Sequence, residues 1–300
     1  MSSPMISVVI PTHNRPEMLV EAVKSACHQR GVEFEVIIVD DASSDHTPQL
    51  IQELISSEPK LRAVRNETSR YAPGARNRGA LEARGEYISF LDDDDQMLSG
   101  GLLAIMGTFQ QSRHIGVVHS PFYIGNWVAF QPLNGNVQKN LLKKFYSLPT
   151  STISVRKSVF MKLEGFDETM QPSEDIEFCL RAAKVTQFKT LDKAYINHRQ
   201  HDGGRLIDNE HECQQGFERV LRKNFPDGNG GISKIASGLH NNFKANGCYG
   251  QAQYFYERGH WSETVGKLLE ALRLEPLSIQ RWSHFLYYGL RLKEGFGVRQ

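Results

Sequence analysis

The chain has 300 residues, 40% of them hydrophobic, so it is long enough to bury one large core or one core with an appendage. Its 35 lysines and arginines almost balance its 34 aspartates and glutamates, which argues against a nucleic-acid partner. No window reaches the roughly 18 apolar residues of a membrane span, and no signal peptide is recognisable at the N-terminus. We therefore expect a cytoplasmic enzyme or binding protein without an integral membrane segment, and peripheral attachment to a membrane stays open.

The cysteines are few and widely spaced. Cys27, Cys179, Cys213 and Cys248 form no CxxC pair and lack the density of a disulfide scaffold. We expect reduced thiols, most of them in the core.

Short β-rich runs alternate with amphipathic helical runs in the N-terminal part of the chain. The predicted strands are "ISVVIP" (6–11), "FEVIIVD" (34–40), "LRAVRN" (61–66) and "EYISFL" (86–91). The predicted helices cover residues 16–30, 47–55 and 74–84, with Gly31 and Gly85 as stops for the first and third. This alternation predicts an α/β fold with a mostly parallel sheet and helices on both faces, and such sheets bind ligands at the carboxyl ends of their strands.

Polar clusters follow three of these strands. Residues 12–15 follow the first strand, residues 40–44 the second, and the four aspartates 92–95 the fourth. Adjacent carboxylates repel one another unless a cation or basic groups offset their charge, and hard oxygen ligands suit Mn²⁺ or Mg²⁺. A solvated acidic turn is the alternative for residues 92–95.

The second half of the chain has a looser pattern. Residues 116–130 are typical of strands, and residues 173–185 form a helical pattern with an apolar stripe. A stretch rich in Gly, Asn and Pro places a domain boundary near Pro226, which gives one domain over residues 1–225 and a helical region over 226–300. Residues 254–276 resemble one tetratricopeptide-type hairpin, whose apolar face must dock on the core, on another subunit in an oligomer, or on a carrier.

The ordered set "SVVIPTHNRPEMLVEAVKSACHQ", "FEVIIVDDASSDHT" and "GARNRGALEARGEYISFLDDDD" resembles the nucleotide-diphospho-sugar transferase domain of family 2 glycosyltransferases. The resemblance covers about two thirds of the chain and implies the GT-A fold, a Rossmann-like central sheet flanked by helices, here with a helical C-terminal appendage. It also implies inverting transfer of a sugar from a nucleotide-diphosphate sugar, such as a UDP-sugar, to the hydroxyl of a glycan, lipid-linked or small-molecule acceptor. Mn²⁺ or Mg²⁺ is the implied cofactor.

The resemblance also implies which residues bind the nucleotide. Those implied to hold the base and ribose are Pro11, Thr12, Asn14 and Asp41. A helix cap or a turn with Ser43 and Ser44 is the alternative for Asp41. Arg76 is implied to lie near the phosphates or base, with a solvated helix arginine as the alternative.

The family's DxD element falls on Asp92, Asp93 and Asp94. The resemblance implies that Asp94 binds the metal directly, that Asp92 lies nearer the ribose and that Asp93 belongs to the same nucleotide-binding element. Because four aspartates are adjacent, a register shifted by one residue, with Asp93 and Asp95 as the pair, stays open.

Two further acids stand at the start of a predicted helix. The resemblance implies that Asp175 is the catalytic general base and that Glu174 orients this acid or the sugar. In-line displacement needs a carboxylate within hydrogen-bond reach of the acceptor hydroxyl. The alternative is ordinary acidity in the first turn of a helix that Ser173 caps.

Histidines supply the last candidate ligand. In "NHRQHDGGR", the resemblance implies that His201 completes the metal site or contacts a phosphate, with His198 as the second choice. Loop histidines without a ligand role are the alternative.

Two other function classes stay open. One is a non-catalytic protein that binds nucleotide-sugars or acts through its helical tail, and the other is a sugar nucleotidyltransferase. The second usually needs a glycine-rich loop after the first strand, and "PTHNRPE" contains no glycine. The chain lacks GxxxxGK and has no GxGxxG after the first strand, which argues against phosphate-loop NTPases and dinucleotide dehydrogenases.

Overall fold

The protein is described by a computed structural model. It describes residues 5–199 except 126, 131, 139–140 and 142–147, then residues 210–224 and 259–274, and single positions between 241 and 276. The chain divides into two compact units, Met1–Arg199 and Gln200–Gln300. The predicted boundary near residue 226 falls within the second unit.

Eleven strands lie in the described part of the first unit. They are β1 (Ile6–Thr12), β2 (Phe34–Asp40), β3 (Leu61–Arg65), β4 (Tyr87–Phe90), β5 (Asp95–Met97), β6 (Ile115–His119), β7 (Phe122–Ile124), β8 (Trp127–Ala129), β9 (Ile153–Arg156), β10 (Gln187–Thr190) and β11 (Ile196–His198). Seven of them form the main sheet, in the order β10-β6-β9-β4-β1-β2-β3. Only β9 runs antiparallel to its neighbours, so the prediction of a mostly parallel sheet is confirmed.

Six helices belong to the described part of the first unit, and two further described helices belong to the second unit. They are α1 (Pro16–Cys27), α2 (Thr47–Ser57), α3 (Tyr71–Glu82), α4 (Gly101–Gln111), α5 (Lys157–Lys162), α6 (Glu174–Ala182), α7 (Glu210–Asn224) and α8 (Trp261–Leu274). Two short 3-10 turns, Thr150–Thr152 and Glu168–Met170, precede β9 and α6.

The centre of the sheet is buried on both faces. Every residue of β1 and β2 is buried, as their continuous β-branched and aliphatic sequences predict for parallel strands covered by helices. The order β3-β2-β1-β4 makes the chain reverse its direction of winding between β1 and β4. Ligands of such sheets bind outside the strand ends at this point.

The predicted bounds of two helices were wrong. Helix α1 ends at Cys27 instead of Arg30, although Gly31 does take a left-handed φ of 78°. Helix α3 begins at Tyr71 and ends at Glu82, before Gly85. Gly85 has a packing role, because a Cβ there would collide with the backbone of Met5 at the edge of β1.

A second, four-stranded sheet was not predicted from the sequence. Its order is β5-β11-β7-β8, with β11 antiparallel to β5 and parallel to β7. The backbone pairing sets His198 opposite Asp95. This small sheet therefore brings the end of the aspartate run beside a histidine that lies far away in the sequence.

The second unit is described in part. Helix α8 lies within residues 254–276, where the tetratricopeptide-type hairpin stays a prediction, and Cys248 is buried in a small cluster with Ala245 and Ala271. Cys27 and Cys179 are also free thiols, while the side chain of Cys213 lies outside the described residues. Among the helices that the structure describes, none is both long and apolar enough to cross a membrane.

Candidate active site

Loops from three neighbouring strands meet at the carboxyl edge of the main sheet. Thr12, the last residue of β1, donates its hydroxyl to Oδ2 of Asp93 at 2.7 Å. The backbone N–H of Asp41, which follows β2, donates to the carbonyl of Thr12 at 2.9 Å. The polar clusters after β1, β2 and β4 thus lie side by side at this edge of the sheet, and Pro11 is buried in β1 next to them.

The aspartates after β4 form a compact turn, Asp92–Asp95, which we name the acidic turn. The N–H of Asp95 donates to the carbonyl of Asp92 at 3.0 Å, and the N–H of Asp92 donates to Oγ of Ser151 at 3.0 Å. These bonds hold the backbone of the turn in one conformation, which determines where its four carboxylates point.

Three arginines offset the charge of the acidic turn. Arg15 lies 3.3 Å from Oδ1 of Asp93 and 3.1 Å from Oδ2 of Asp94. Arg199 donates to the backbone carbonyls of the same two residues at 3.0 and 2.7 Å. Arg76 donates to Oδ1 of Asp92 at 2.6 Å. The like charges of the run are therefore held together by protein cations as well as by its backbone bonds.

The compensation is incomplete. Burial raises the pKa of Asp93 to about 7, and the charge of Asp94 adds to this rise against the opposing effect of Arg15. Burial also raises the pKa of Asp92, although the Arg76 guanidinium lowers it. The acidic turn thus resists carrying all of its negative charge, and a bound cation would relieve this cost.

The acidic turn has the donor set for a divalent cation. Asp92, Asp94 and Asp95 can each offer one oxygen, and these three oxygens all lie within 4.8 Å of one another. Oδ1 of the buried Asp95 has no hydrogen-bond partner among the described residues. Oxygen ligands of this kind suit Mg²⁺ and Mn²⁺, so the residues fit such an ion. This set combines Asp92 and Asp94 from the first DxD register with Asp95 from the register shifted by one residue. The carboxylate of Asp93 is bonded to Thr12 and Arg15 instead.

His198 stands beside this donor set. Its Nδ1 is hydrogen-bonded to Oδ2 of Asp95 at 3.3 Å and lies 3.0 Å from Oδ1, and its ring packs edge to face on Phe122 with the ring centres 5.9 Å apart. His201, the first choice from the sequence, lies outside the described residues, and its ligand role stays a prediction.

Asp41 is buried and strongly bonded. Its carboxylate accepts from Nδ2 of Asn66 at 2.7 Å, from Oγ of Ser69 at 2.6 Å and from the N–H of Arg70 at 2.9 Å. These donors occupy most of the lone pairs of a carboxylate. Asp41 thus orders the loop before α3, and its contact with the base or ribose stays a prediction.

Asn14 connects the loops after β1 and β2. It has a left-handed φ of 52°, which asparagine tolerates better than most residues. Its N–H donates to Oγ of Ser43 at 3.0 Å, and its side-chain oxygen accepts from the N–H of Ser44 at 2.8 Å. Asp40 closes the same turn by accepting from the N–H of Ser43 at 2.9 Å. The turn foreseen as the alternative for the acids after β2 is therefore present, with Asp40 as its acid.

The acidic pair at the start of α6 has two different environments. Glu174 is buried and accepts from Nη1 of Arg76 at 2.8 Å. Asp175 is partly exposed, and burial together with the charge of Glu174 raises its pKa to about 8, against the lowering effect of Arg76. Ser173 occupies the cap position of α6 without a side-chain capping bond. Asp175 is thus a carboxyl group whose pKa suits proton transfer near neutral pH.

Sequence reasoning missed several residues of this site. Arg15 and Arg199 lie within the quoted "THNR" and "NHRQH" stretches, but neither was predicted to contact the acidic turn. The excess of negative charge in that turn was the one signal that basic side chains must pack against it. The hydroxyl of Ser151 could not be found, because its bond to Asp92 depends on the pairing of β9 with β4.

The sequence and the fold resemble those of known proteins. The sequence model of "Glycosyl transferase family 2" matches residues 7–168, just over half of the chain. A Campylobacter jejuni protein, "GalNAc(5)-diNAcBac-PP-undecaprenol beta-1,3-glucosyltransferase", is 39% identical over 54% of this chain and 50% of its own length. The Erwinia amylovora "Amylovoran biosynthesis glycosyltransferase AmsB" is 31% identical over 60% of this chain and 64% of its own length. The chain thus spans about half to two thirds of these relatives.

Solved structures share the fold. Staphylococcus aureus TarS 1-349 in complex with UDP-GlcNAc superposes with a TM-score of 0.59 at 18% identity, over 92% of this chain and 93% of that one. The mannosyltransferase PcManGT from Pyrobaculum calidifontis, in complex with GDP-Man and Mn²⁺, gives 0.61 at 17% identity over 96% and 80%. At such identities the likeness concerns the fold, which is the GT-A fold that the resemblance implied. With the sequence match over residues 7–168, it follows that the chain belongs to glycosyl transferase family 2.

Proposed function

We propose that this protein is an inverting, metal-dependent glycosyltransferase. It moves a sugar from a nucleotide-diphosphate sugar, with UDP as the favoured nucleotide, to an acceptor hydroxyl. The observation that supports the proposal is that Arg76 bridges Asp92 of the acidic turn and Glu174, the neighbour of Asp175 on α6. This bridge brings a cluster of carboxylates that suits a cation near a carboxyl group that suits proton transfer, which are the two requirements of the reaction.

The acidic turn forms the donor side of the crevice. Asp92, Asp94 and Asp95 would hold Mn²⁺ or Mg²⁺, which supplies a Lewis acid that neutralises charge on the departing diphosphate. Thr12 and Asn14 order the loop after β1, where the base and ribose would lie against Asp41.

Asp175 is the proposed catalytic base. In the ionised form its carboxylate takes the proton of the acceptor hydroxyl while that oxygen attacks the anomeric carbon of the sugar. The bond from this carbon to the diphosphate oxygen breaks on the opposite face, and its electron pair leaves with the nucleotide, so the configuration inverts. A pKa of about 8 lets Asp175 lose its own proton near neutral pH and still hold the one it receives.

The nature of donor and acceptor rests on the relatives. The named relative from Campylobacter jejuni has an undecaprenol-linked acceptor in its name, and TarS was solved with UDP-GlcNAc. These names favour a UDP-sugar donor and a lipid-linked acceptor for this chain. A lipid-linked acceptor would bring the protein to a membrane surface.

The change Asp175→Asn tests the proposal. It removes the base and keeps the shape, so we expect transfer, measured as UDP release in the presence of acceptor, to fall by about 1,000-fold. Calorimetric affinity for UDP with Mn²⁺ should stay within about twofold, a difference of only about 0.4 kcal/mol.

The matched control is Asp167→Asn, which alters an aspartate that caps a 3-10 turn and should leave both quantities unchanged. Equal loss of binding and transfer in Asp175→Asn would contradict its role as the base. Binding of UDP by the wild type without turnover of any donor would instead favour a non-catalytic nucleotide-sugar-binding protein.

A further inference from the structure

Arg76 is a buried cation that joins two elements of the candidate site. It lies on α3 and is only 5% exposed. Its Nη2 donates to Oδ1 of Asp92 at 2.6 Å, and its Nη1 donates to Oε1 of Glu174 at 2.8 Å. The first partner belongs to the acidic turn and the second opens α6, the helix that carries Asp175. We name these three side chains the Arg76 clamp.

The surroundings leave little room for a substrate at Arg76. Its guanidinium carbon lies 5.9 Å from the centre of the Phe166 ring, and its buried Nε has no hydrogen-bond partner among the described residues. A phosphate at this guanidinium would compete with the buried carboxylate of Glu174 and the partly buried carboxylate of Asp92, and a displaced carboxylate would lose its charge partner. The guanidinium is therefore placed to act on protein carboxylates.

Glu174 is placed in the same way. Glu174 is only 6% exposed, and its carboxylate accepts a hydrogen bond from Arg76. Its neighbour Asp175 is partly exposed. A residue that contacted the acceptor sugar would need an accessible carboxylate. Glu174 thus meets the crevice through Arg76, on the side of the acidic turn.

Charge gives the clamp a consequence for cation binding. The carboxylate of Glu174 offsets the charge of Arg76, so the charge of Asp92 remains available to a divalent ion. Replacing that carboxylate by an amide would leave the whole charge of Arg76 beside Asp92, where it repels an ion that approaches this aspartate. The adjacent acids of α6 would therefore act on opposite sides of the reaction.

We infer that Arg76 and Glu174 are positioning residues that keep Asp92 competent to bind the ion and its diphosphate, and that Glu174 acts on the donor and does not contact the acceptor. This inference rests on the proposed function, because it assumes a donor bound through a divalent ion. It departs from both sequence-based assignments, which placed Arg76 on the nucleotide and Glu174 with the catalytic base.

The test compares two isosteric changes within α6. Glu174→Gln should weaken the Mn²⁺-dependent affinity for UDP, measured by calorimetry, by about 10- to 100-fold, the usual effect of residues that orient metal ligands. Glu177→Gln is the matched control, because Glu177 is also a buried acid of α6 and is paired with Arg181 at 2.7 Å. The control should lower the melting temperature and leave the affinity for UDP with Mn²⁺ unchanged.

The outcomes separate this inference from the proposed function. Wild-type protein that fails to bind UDP with Mn²⁺ would overturn the proposed function, and the inference with it. Wild-type protein that binds, together with Glu174→Gln protein that binds equally well, would overturn the inference alone. Equal weakening in Glu174→Gln and Glu177→Gln would also overturn it, since this would show general loosening of α6.

A second variant covers the case in which Glu174→Gln does not fold. Arg76→Lys keeps the buried charge and loses the planar fork that reaches two carboxylates at once. We expect the affinity for UDP with Mn²⁺ to fall by about 10-fold, with affinity for UDP in chelator unchanged. Unchanged affinity in both conditions would overturn the inference.

Discussion

Two acidic clusters flank β1 at the same edge of the sheet, and they differ in how their oxygens are satisfied. Asp40 ends β2 and Asp41 follows it, and their carboxylates accept hydrogen bonds from the surrounding loops and from Arg65 at the end of β3, with three donors on Asp41 alone. The acidic turn follows β4, contains aspartates with raised pKa values, and leaves Oδ1 of Asp95 without a hydrogen-bond partner in the described part of the chain.

The comparison shows that acidity at a strand end is not by itself the mark of an ion site. A carboxylate that accepts from backbone and side-chain donors orders a loop, whereas carboxylates that repel one another around an unsatisfied oxygen offer ligands. The predictions below ask whether the two clusters respond differently to Mn²⁺.

The largest change in Mn²⁺-dependent affinity for UDP is expected at Asp94. Asp94→Asn removes one of three converging oxygen ligands, so the affinity for UDP in the presence of Mn²⁺ should fall by about 100-fold, or about 2.7 kcal/mol. Affinity for UDP in the presence of a chelator should not change. Calorimetry in both conditions measures this, and an unaltered response to Mn²⁺ would show that Asp94 is not a ligand.

A different response is expected at Asp41. Asp41→Asn replaces an acceptor of three hydrogen bonds by an amide that donates on one side, so the free energy of unfolding should fall by about 2 kcal/mol. Urea denaturation measures this change. UDP affinity should weaken to the same extent with and without Mn²⁺, because we propose that Asp41 lies against the base and ribose and not at the ion. A variant of wild-type stability whose UDP affinity has lost its dependence on Mn²⁺ would reverse the roles of the two clusters.

The smallest effect concerns the pH dependence of stability. Asp175 has a pKa of about 8 in the native protein, whereas an aspartate of an unfolded chain ionises near pH 4. Between these values the native state keeps a proton that the unfolded state has lost, so this residue's contribution to stability falls as pH rises.

Asp175→Asn removes this contribution. In metal-free buffer, the unfolding free energy of the wild type minus that of the variant should fall by about 2 kcal/mol between about pH 5 and pH 8, allowing for the partial exposure of the group. Urea titrations at several pH values supply the comparison. Parallel pH profiles for the two proteins would mean that Asp175 ionises as in an unfolded chain and is poorly suited to act as a base.

Much of the fold follows from the sequence because local patterns specify it. Continuous β-branched runs gave β1 and β2, and the alternation of strands and helices gave the parallel sheet. The small sheet was missed because β5 and β11 are only three residues each, and they form through pairing between residues that are about a hundred positions apart. Short strands of this kind have no periodicity to detect.

The sequence predicted which residues belong to the candidate site better than it predicted the contacts between them. The sequence pointed to the acidic turn, which follows a recognisable strand, and to the pair of acids that opens the recognisable helix α6. It could not show that Arg76 joins them, because a helix arginine in the sequence looks the same whether it is solvated or buried between two acids. Long-range ion pairs depend on the assembled fold.

The central claim is that the acidic turn binds a divalent ion that carries a diphosphate. The most direct measurement is the affinity of the wild-type protein for UDP by calorimetry, with Mn²⁺ and with a chelator. The account predicts binding at least about tenfold tighter with Mn²⁺, a gain of about 1.4 kcal/mol or more. Equal affinity in the two conditions would contradict it.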